Sequence, residues 1–342
     1  MQRSRLRTVI PALLALGAVA ISLPLVAGYW GRIHPAFDSM AHFRLHLAAL
    51  LTLFALPLLF FKGWRQIGAA SCVLGIAAMS ATMTSGLSAR PATAAAAEAP
   101  AARYRLMQMN LRYDNTSPKK LFSLIGAMKP DVITLNEVSG MWVEQLKYLE
   151  ATYPYRIICP PPARIGGVAI LSRRPFLHPA TVTCHDRGSM AVASVSFGGS
   201  SVDVAALHLG WPWPFEQKAH VRRITPAVEK LGSTAILAGD LNATPWSVTA
   251  RTLESVGHMK ALPGIGATWF IPSFPIAVRK VAGLPIDNVF IKGRVVPISV
   301  QRLGDAGSDH LPVLFEFSLL PRPQEDDDEG VQQAEASTHS PA

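Results

Sequence analysis

The stretch AILAGDLN, residues 235–242, begins as a short apolar run and then places two polar side chains, Asp240 and Asn242, where the run ends. A continuous apolar run of this length, bounded by Gly239, is typical of a buried β-strand. A single Asp or Asn after a strand is more often a turn former than a ligand. The meaning of this pair therefore depends on whether the arrangement recurs in the chain.

Polar side chains also stand at the ends of other predicted strands. They are Asn110 after Arg105–Asn110, Glu137 after Asp131–Leu135, His208 after Val202–Leu207, Asp287 before Asn288–Ile291, and Ser308, Asp309 and His310 before Val313–Leu319. Loops at strand ends present such side chains on one rim, and carboxylates gathered there repel each other unless a cation lies among them. The sequence therefore predicts one carboxylate-rich site with two histidines.

Residues 103–320 alternate many short strand-like runs with few helices. Helical spacing is confined to Pro118–Met128, Met141–Leu149, Phe215–Leu231 and Ser247–Val256. Many strands in a mostly antiparallel order, with few helices, are typical of two packed sheets. We therefore predict an α/β domain over residues 103–320, built as a four-layer sandwich with two packed, mostly antiparallel sheets.

The first 90 residues hold the chain's excess of apolar residues and predict a membrane anchor. Apolar runs at about 8–30, 45–61 and 67–87 predict three transmembrane helices, of which the third is weakened by Ser, Thr and Gly. The Arg-rich start and the basic turn at residues 62–65 belong on the cytoplasmic side by the positive-inside rule. Three spans then place the domain on the periplasmic face of a bacterial inner membrane, whereas failure of the third span to insert would leave it cytoplasmic.

Two segments without apolar periodicity flank the predicted domain. Residues 91–102 form an Ala/Pro/Thr-rich linker, and residues 321–342 form a disordered tail with an acidic run at Glu325–Glu329. Between them, residues 103–320 carry 23 Lys and Arg against 15 Asp and Glu. This basic balance suits a polyanionic partner such as a nucleic acid, a phosphorylated substrate or anionic lipid headgroups.

Two of the three cysteines, Cys159 and Cys184, lie in the predicted domain. If that domain is outside the cytoplasm, they could form one disulfide, since such bonds persist in oxidising compartments. Two unrelated buried thiols are the alternative that the sequence leaves open.

Five short motifs together resemble the ordered signature of the endonuclease/exonuclease/phosphatase superfamily. They are Asn110, Leu135-Asn136-Glu137, Gly239-Asp240-Leu241-Asn242, Ile286-Asp287-Asn288-Val289 and Gly307-Ser308-Asp309-His310. The resemblance covers about residues 103–320 and implies a metal-dependent hydrolase of phosphoester bonds. Residues 242–247 and 268–269, with the N-terminal spans, further resemble a bacterial membrane-anchored branch that includes proteins linked to glycopeptide resistance. Two positions depart from the pattern: Asn136 stands where Gln is usual, and Asn288 where this branch often has His or Tyr.

The resemblance also implies roles for individual residues. Glu137 would bind Mg²⁺ (or Mn²⁺), with Asn110 and Asp309 completing or supporting the metal site. The implied catalytic residues are His310, Asp240, His208, Asp287 and Asn242. Asp240 would orient or deprotonate the attacking water, while His310, oriented by Asp287, would hold a phosphate oxygen or transfer a proton. The implied phosphate-binding residues are Asn242, His208 and Ser308.

Two loops near the predicted site combine aromatic residues with cations or prolines. One is residues 211–215, Trp-Pro-Trp-Pro-Phe, and the other is residues 269–286, which include Phe270, Phe274, Arg279 and Lys280. Trp and Phe beside cations are favoured at a membrane–water interface. We therefore expect a lipid phosphate or pyrophosphate as substrate, with packing of these aromatics in the domain's own core as the alternative.

Two other functions are compatible with the sequence. A membrane-tethered periplasmic nuclease would keep the same catalytic residues and would use the basic surface to contact the phosphates of DNA or RNA. A membrane scaffold without catalytic activity is the third hypothesis. The presence of Glu137, Asp240 and His310 in one chain argues against it, because a scaffold does not need them.

Overall fold

The computed structural model describes residues 2–86, 102–160, 164–178, 180 and 182–321. Residues 91–101 of the predicted linker and 322–342 of the predicted tail lie outside the described residues. The helices are α1 (Gln2–Ala27), α2 (Pro35–Ala41), α3 (Arg44–Ala55), α4 (Arg65–Gly86), α5 (Pro118–Met128), α6 (Gly140–Leu146), α7 (Gln217–Glu229), α8 (Val248–Gly257) and α9 (Ile276–Ala282). The strands are β1 (Tyr104–Asn110), β2 (Val132–Val138), β3 (Tyr155–Ile158), β4 (Gly167–Ser172), β5 (Thr183–His185), β6 (Met190–Phe197), β7 (Ser200–His208), β8 (Ala235–Asp240), β9 (Lys260–Ala261), β10 (Asp287–Lys292), β11 (Val295–Arg302) and β12 (Val313–Leu319).

The strands form two sheets, with spatial orders β11-β12-β1-β2-β4-β3 and β5-β6-β7-β8-β10-β9. Each sheet has one parallel pair near its centre, β1 with β2 and β7 with β8. The other neighbouring strands pair antiparallel. The mostly antiparallel order predicted from the sequence is therefore confirmed.

Alternate side chains of the central strands pack on opposite faces of each sheet. In β1, Leu106 lies between the two sheets, whereas Met107 packs with the apolar residues of α5 and α6. In β8, Ile236 lies between the sheets, whereas Leu237 packs with α7 and α8. This alternation follows from the two-residue period of a strand. The layers therefore run helices, sheet, sheet, helices, which confirms the predicted four-layer sandwich.

The central parallel pairs end at the same edge of the sandwich. In the first sheet Asn110 aligns with Asn136, and in the second sheet His208 aligns with Asp240. Strand β10 runs antiparallel to β8 and starts at this edge, so that Asp287 lies opposite Asp240. The topology thus collects the strand-end polar residues of both sheets in one place.

The segment between the first two predicted spans and the predicted loop at residues 269–286 each contain a short helix. Residues 34–42 include α2, in which Pro35 is the first residue, and residues 269–286 include α9, which Pro275 precedes. Proline suits the start of a helix because its φ is already helical and its missing N–H would have no partner there. Each of the two helices has seven residues. That length is too short for apolar periodicity to indicate a helix.

The N-terminal helices α1, α3 and α4 pack against one another. Two helical stretches, Val9–Ala27 and Arg65–Thr84, are each long and apolar enough to cross a membrane. A third candidate combines Pro35–Ala41 with Arg44–Phe60, two helical pieces that differ in direction by 67°. The helix is thus bent just before the second predicted span. Within that span, α3 gives way to a 3₁₀ turn at Leu56–Phe60. The third run, weakest by composition, forms a continuous helix.

Helix α3 runs antiparallel along both of its neighbours. Near its start, Arg44 donates a hydrogen bond to the Gly28 carbonyl just after α1, at 2.7 Å. Near its end, the Phe54 ring lies so close to Gly17 that a Cβ added at that glycine would be 2.7 Å from the ring. The 3₁₀ turn that follows lies against Gly68 of α4 in the same way. The helical run 44–60 therefore lies alongside much of α1 and α4.

The segment between α1 and α3 contacts the sandwich through polar groups. The Asp38 carboxylate accepts hydrogen bonds from the backbone N–H groups of Val248 at 2.7 Å and Thr249 at 3.2 Å, at the start of α8. The Trp246 indole N–H donates to the Ala41 carbonyl at 2.7 Å. A carboxylate at a helix N-terminus satisfies free N–H groups and interacts favourably with the helix dipole. These contacts join the N-terminal helices to the sandwich.

Further hydrogen bonds connect the N-terminal segment with the domain. The Ser39 hydroxyl donates to the Trp213 carbonyl at 3.1 Å, and His46 Nε2 bonds the Ala282 carbonyl at 2.7 Å. His42 Nδ1 accepts from the Thr244 N–H at 3.3 Å. The joint therefore involves the aromatic loop at residues 211–215, the end of α9 and the loop that follows β8.

Cys159 and Cys184 form a disulfide with their Cα atoms 5.7 Å apart. Cys159 follows β3 at one edge of the first sheet, and Cys184 lies in β5 at one edge of the second sheet. The bond therefore links the two sheets. Of the two alternatives that the sequence left open, the structure has the disulfide.

We predict that replacing both Cys159 and Cys184 by Ala lowers the free energy of unfolding of the full-length protein by about 3 kcal/mol, because the bond closes a loop of sequence separation 25. Urea denaturation in detergent, with and without dithiothreitol, measures the loss. Reductant should destabilise the wild type and the Cys72→Ala control but leave the double variant unchanged. A wild type that is insensitive to reductant would contradict the prediction.

Candidate active site

The edge formed by the strand ends carries a pocket of about 200 Å³, here called the strand-end pocket. Its lining includes six predicted site residues, namely Glu137, His208, Asp240, Asn242, Asp309 and His310. Asn110 and Asp287 are buried beside it and bond to Asp240 and His310 respectively. The structure therefore brings together side chains that are up to 200 positions apart in the sequence.

Asp240, Asp287 and His310 form the buried centre of the site. His310 Nδ1 donates a hydrogen bond to Asp287 Oδ2 at 2.8 Å, and His310 Nε2 lies 3.6 Å from Asp240 Oδ2. Asp287 is 1% exposed and Asp240 is 1% exposed, so water screens this cluster very little. The imidazole is thus held between two carboxylates, with its Nε2 directed towards Asp240.

The pKa values of this centre are shifted by burial and by mutual interaction. Burial raises the pKa of Asp240 to about 7, with Asp287 adding to the shift and His310 opposing it. Burial alone would lower the pKa of His310, but the charges of Asp287 and Asp240 outweigh it and raise that pKa to about 10. At neutral pH the ring is therefore an imidazolium, and Asp240 is close to its titration point. These are properties expected of a proton donor and a proton acceptor.

Glu137 reaches the pocket because the backbone of β2 is irregular at that position. Its φ is +57°, and the pairing of β2 with β4 shifts register between Leu135 and Val138. A non-glycine residue in the left-handed region carries a conformational cost that is typical of functional sites. One carboxylate oxygen accepts from Asn110 Nδ2 at 3.0 Å and the other from the Tyr113 N–H at 2.9 Å. The carboxylate is therefore fixed in orientation at the pocket wall.

Three buried amide side chains tie the two sheets together beneath the pocket. Asn136 donates to the Leu207 carbonyl at 3.0 Å and accepts from the Asp240 N–H at 2.9 Å, so it links β2 to β7 and β8. Gln108 donates to Asn136 Oδ1 at 3.1 Å and to Asp287 Oδ1 at 2.9 Å. Asn110 Nδ2 donates to Asp240 Oδ2 at 2.9 Å. The carboxylates of the second sheet are thus held by amides of the first.

His208 and Asn242 complete the walls of the pocket. His208 Nε2 lies 3.7 Å from Asp240 Oδ2, and burial lowers the pKa of its imidazole, although Glu137 opposes the shift. Asn242 adopts φ +47°, and its backbone N–H donates to Asp240 Oδ1 at 2.8 Å. His208 is therefore neutral at pH 7, unlike His310. Asn242 is held in a turn that closes over Asp240.

Hydrogen bonds on the side away from the pocket hold the Ser308-Asp309-His310 segment in place. The Ser308 hydroxyl is buried, donates to the Asn110 carbonyl at 2.9 Å and accepts from the His310 N–H at 3.0 Å. Arg279 donates to the Ser308 carbonyl at 2.9 Å and is 3% exposed. Ser308 thus lies beneath the lining of the pocket. The Arg279 guanidinium, which the sequence suggested as a cation for the membrane interface, instead holds this loop.

Asn288 is also buried, at 3% exposure, and its amide donates to the carbonyls of Ala243 and Ile286. The departure from the family pattern at this position therefore changes the support of the loop after β8 and adds no side chain to the rim.

One group in the pocket wall was missed by sequence reasoning. His220, on α7, accepts a hydrogen bond at Nδ1 from the Gly210 N–H at 3.1 Å. Its Nε2 lies 2.9 Å from Ser189 Oγ and 3.1 Å from Asp186 Oδ2, and burial lowers the pKa of the imidazole to about 4. Because Nδ1 accepts, Nε2 carries the proton, and His220 cannot deprotonate Ser189. It instead positions the start of the loop that carries Trp211.

The donors at the pocket suit a divalent cation. Asp240, Asp287 and His310 each offer one atom within 4.8 Å of the others. His310 Nδ1 donates to Asp287, so only the Nε2 side of the ring faces Asp240. Glu137 and Asp309 line the pocket with carboxylate oxygens, which hard cations such as Mg²⁺ prefer. The site can therefore hold a divalent metal, with the carboxylates as its ligands.

The four-layer sandwich thus brings carboxylates and histidines together at its strand ends. A family model for the endonuclease/exonuclease/phosphatase family matches residues 107–310. The chain therefore belongs to this family, as the motifs predicted.

Similar proteins agree on the fold. Over 123 residues the chain is 32% identical to UPF0294 proteins of two Vibrio vulnificus strains, a match that spans 35% of this chain and 41% of each relative's length. An endonuclease/exonuclease/phosphatase structure from Bacteroides vulgatus has a TM-score of 0.52 at 17% identity, covering 64% of this chain and 100% of its own. Danio rerio TDP2, crystallised with a single-strand DNA product, has a TM-score of 0.51 at 18% identity, covering 64% and 99%. At these identities the structures show a common fold alone.

We predict that Asn136→Ala lowers the free energy of unfolding by about 2–4 kcal/mol, because the Asp240 N–H, the Leu207 carbonyl and Gln108 lose a buried partner. Thr134→Val, on the same strand, is the matched control, since the buried Thr134 hydroxyl has no hydrogen-bond partner among the described residues. Denaturant unfolding of both variants measures the difference. Equal stability of the two variants would mean that the amide contributes nothing to holding the sheets.

Proposed function

We propose that the protein hydrolyses a phosphate ester or pyrophosphate of a lipid-linked substrate at the outer face of the inner membrane. The observation that carries this proposal is the position of the strand-end pocket. One wall residue, Trp211, belongs to an aromatic loop that also contacts the membrane anchor through the Trp213 carbonyl. A phosphorylated headgroup at the membrane surface is therefore beside the catalytic residues.

The chemistry follows from the protonation states at the site. Asp240, near its titration point, accepts a proton from a water molecule whose oxygen attacks phosphorus in line with the leaving oxygen. The His310 imidazolium, held at Nδ1 by Asp287, presents Nε2–H to a phosphoryl oxygen and stabilises the charge that develops there. Neutral His208 and the Asn242 amide bind the remaining phosphate oxygens. One water is consumed, the oxygen–phosphorus bond breaks, and the leaving oxygen ends protonated.

Glu137 would hold Mg²⁺ in this proposal, with Asp309 as a further ligand and Asn110 as the residue that orients Glu137. When bound, the ion supplies positive charge beside the phosphoryl oxygens. Asn110 supports this site through its Nδ2, which bonds both Glu137 and Asp240, while its Oδ1 accepts from the Arg112 N–H at 2.9 Å.

Two independent features support a location of the domain outside the cytoplasm. If α1, the run 44–60 and α4 all cross the membrane, residues 28–43 and the domain emerge on the same face. The docking of Asp38 on α8 is compatible with this arrangement, whereas crossings by α1 and α4 alone would place the segment and the domain on opposite faces. The Cys159–Cys184 disulfide also favours an oxidising compartment. With the Arg-rich start inside, the domain is periplasmic.

The aromatic side chains beside the pocket support a lipid over a soluble substrate. Trp211, Trp213, Phe215 and Phe274 are 48%, 49%, 65% and 45% exposed, so they are not packed in the core of the domain. Large exposed apolar side chains close to a membrane anchor are favoured at the membrane–water interface. A nuclease needs none of them, although the structural neighbour TDP2 was crystallised with a DNA product.

The test of function is product release by the purified full-length protein with Mg²⁺ on a polyprenyl pyrophosphate, phosphatidyl lipids, sphingomyelin and duplex DNA. We expect turnover of a lipid substrate, reduced roughly 10²–10⁴-fold by His310→Ala. His258→Asn is the matched control, because His258 is exposed, has φ +49°, a conformation that Asn tolerates, and should keep wild-type activity. Cleavage of DNA without lipid turnover would replace this proposal by the nuclease.

The proposed topology predicts opposite labelling of two introduced cysteines in a bacterial host. Ser123→Cys on the exposed face of α5 should react with a membrane-impermeant maleimide in spheroplasts, and Gly63→Cys in the basic turn should react only after lysis. The reverse pattern would place the domain in the cytoplasm, and labelling of both would exclude a crossing between them.

A further inference from the structure

A second cavity, of about 170 Å³, lies between the membrane anchor and the domain and is here called the anchor groove. Phe43 lines it from the anchor, Trp213 and Phe215 from the aromatic loop, and Leu284 and Ile286 from the domain. The polar Ser39 hydroxyl in its wall already donates to the Trp213 carbonyl. The lining of the groove is therefore mostly apolar, with Ser39, His42 and Asn242 as its polar members.

The anchor groove and the strand-end pocket are adjacent. Trp211 and Asn242 line both cavities. Asn242 bonds Asp240 through its backbone, so the groove begins next to the buried catalytic cluster. A molecule with its phosphate in the pocket can therefore extend directly into the groove.

The other end of the groove lies where a membrane helix begins. Phe43 immediately precedes α3, and its side chain is 49% exposed. α3 packs between α1 and α4, the two helices that are long and apolar enough to cross a membrane. The groove thus connects the catalytic pocket with the level at which lipid chains start.

We propose that the anchor groove holds the first part of the hydrocarbon chain of a membrane lipid whose phosphate occupies the strand-end pocket. The inference rests on the proposed phosphoesterase function and adds that the anchor forms part of the substrate site. Burial of each chain methylene contributes roughly a fourfold factor in binding. The enzyme therefore selects lipid phosphates by their chain and not only by their headgroup.

Two para-nitrophenyl phosphodiesters that differ only in the other alcohol, ethyl against hexadecyl, provide the test. Both release the same coloured leaving group, so the ratio of their kcat/KM values reports the chain alone. For the full-length wild-type protein in detergent we expect a preference for the hexadecyl ester of at least about 10-fold, which corresponds to burial of two methylenes.

Three variants identify where the chain binds. Ser39→Phe fills the groove and should lower the hexadecyl-to-ethyl ratio about 10-fold or more, and Phe43→Ala removes one wall and should lower it severalfold. Ser123→Phe is the matched control, because Ser123 is exposed on α5, and it should keep the wild-type ratio. Phe43→Ala opens the groove, so it still reports on the site if Ser39→Phe fails to fold.

The possible results separate the inference from the function on which it rests. A wild-type preference that neither groove variant changes would overturn the anchor groove as the chain site while leaving a lipid phosphoesterase. Hydrolysis of both esters without a preference would also overturn it, with the phosphoesterase standing. Hydrolysis of neither ester, together with silence on the lipid substrates, would remove the proposed function and the inference with it.

Discussion

The burial of two aspartates and a charged histidine between two sheets is the constraint on which this structure depends. Asp240 and Asp287 belong to the second sheet and are almost inaccessible to water, so their charges need partners inside the protein. His310 supplies the opposite charge, and the amides of the first sheet supply hydrogen bonds. These contacts lower the energetic cost of burying the two carboxylates, and they also link the two sheets. The charges of the same groups shift the pKa values of Asp240 and His310.

The N-terminal helices are joined to the sandwich by a small number of polar contacts. Asp38 satisfies two N–H groups at the start of α8, and the helix in turn follows the loop that carries Asn242. The anchor thereby contacts the loop beside the active site through Thr244 and the aromatic loop through Trp213. A tether that only concentrated the domain at the membrane would need neither contact. Residues of the N-terminal segment also line a cavity next to the strand-end pocket.

Much of the site could be predicted because its residues follow or precede strands whose apolar runs are visible in the sequence. Asn110, Glu137, His208 and Asp240 each end such a run, and strands of one parallel pair bring their ends to one edge. His220 could not be found in this way, since it lies on a helix and reaches the site only through the packing of α7. The helices α2 and α9 were not predicted, and each spans only about two turns.

The sequence by itself determined most of the longer strands and helices of the domain, the apolar N-terminal runs and the family, because these depend on local periodicity and on short motifs. Only the tertiary structure decided that Cys159 pairs with Cys184, that Arg279 supports Ser308, and that residues 35–43 dock on the domain. Each of these depends on distances between segments far apart in the chain. Such distances are set by how sheets and helices pack, and no local pattern of residues contains them.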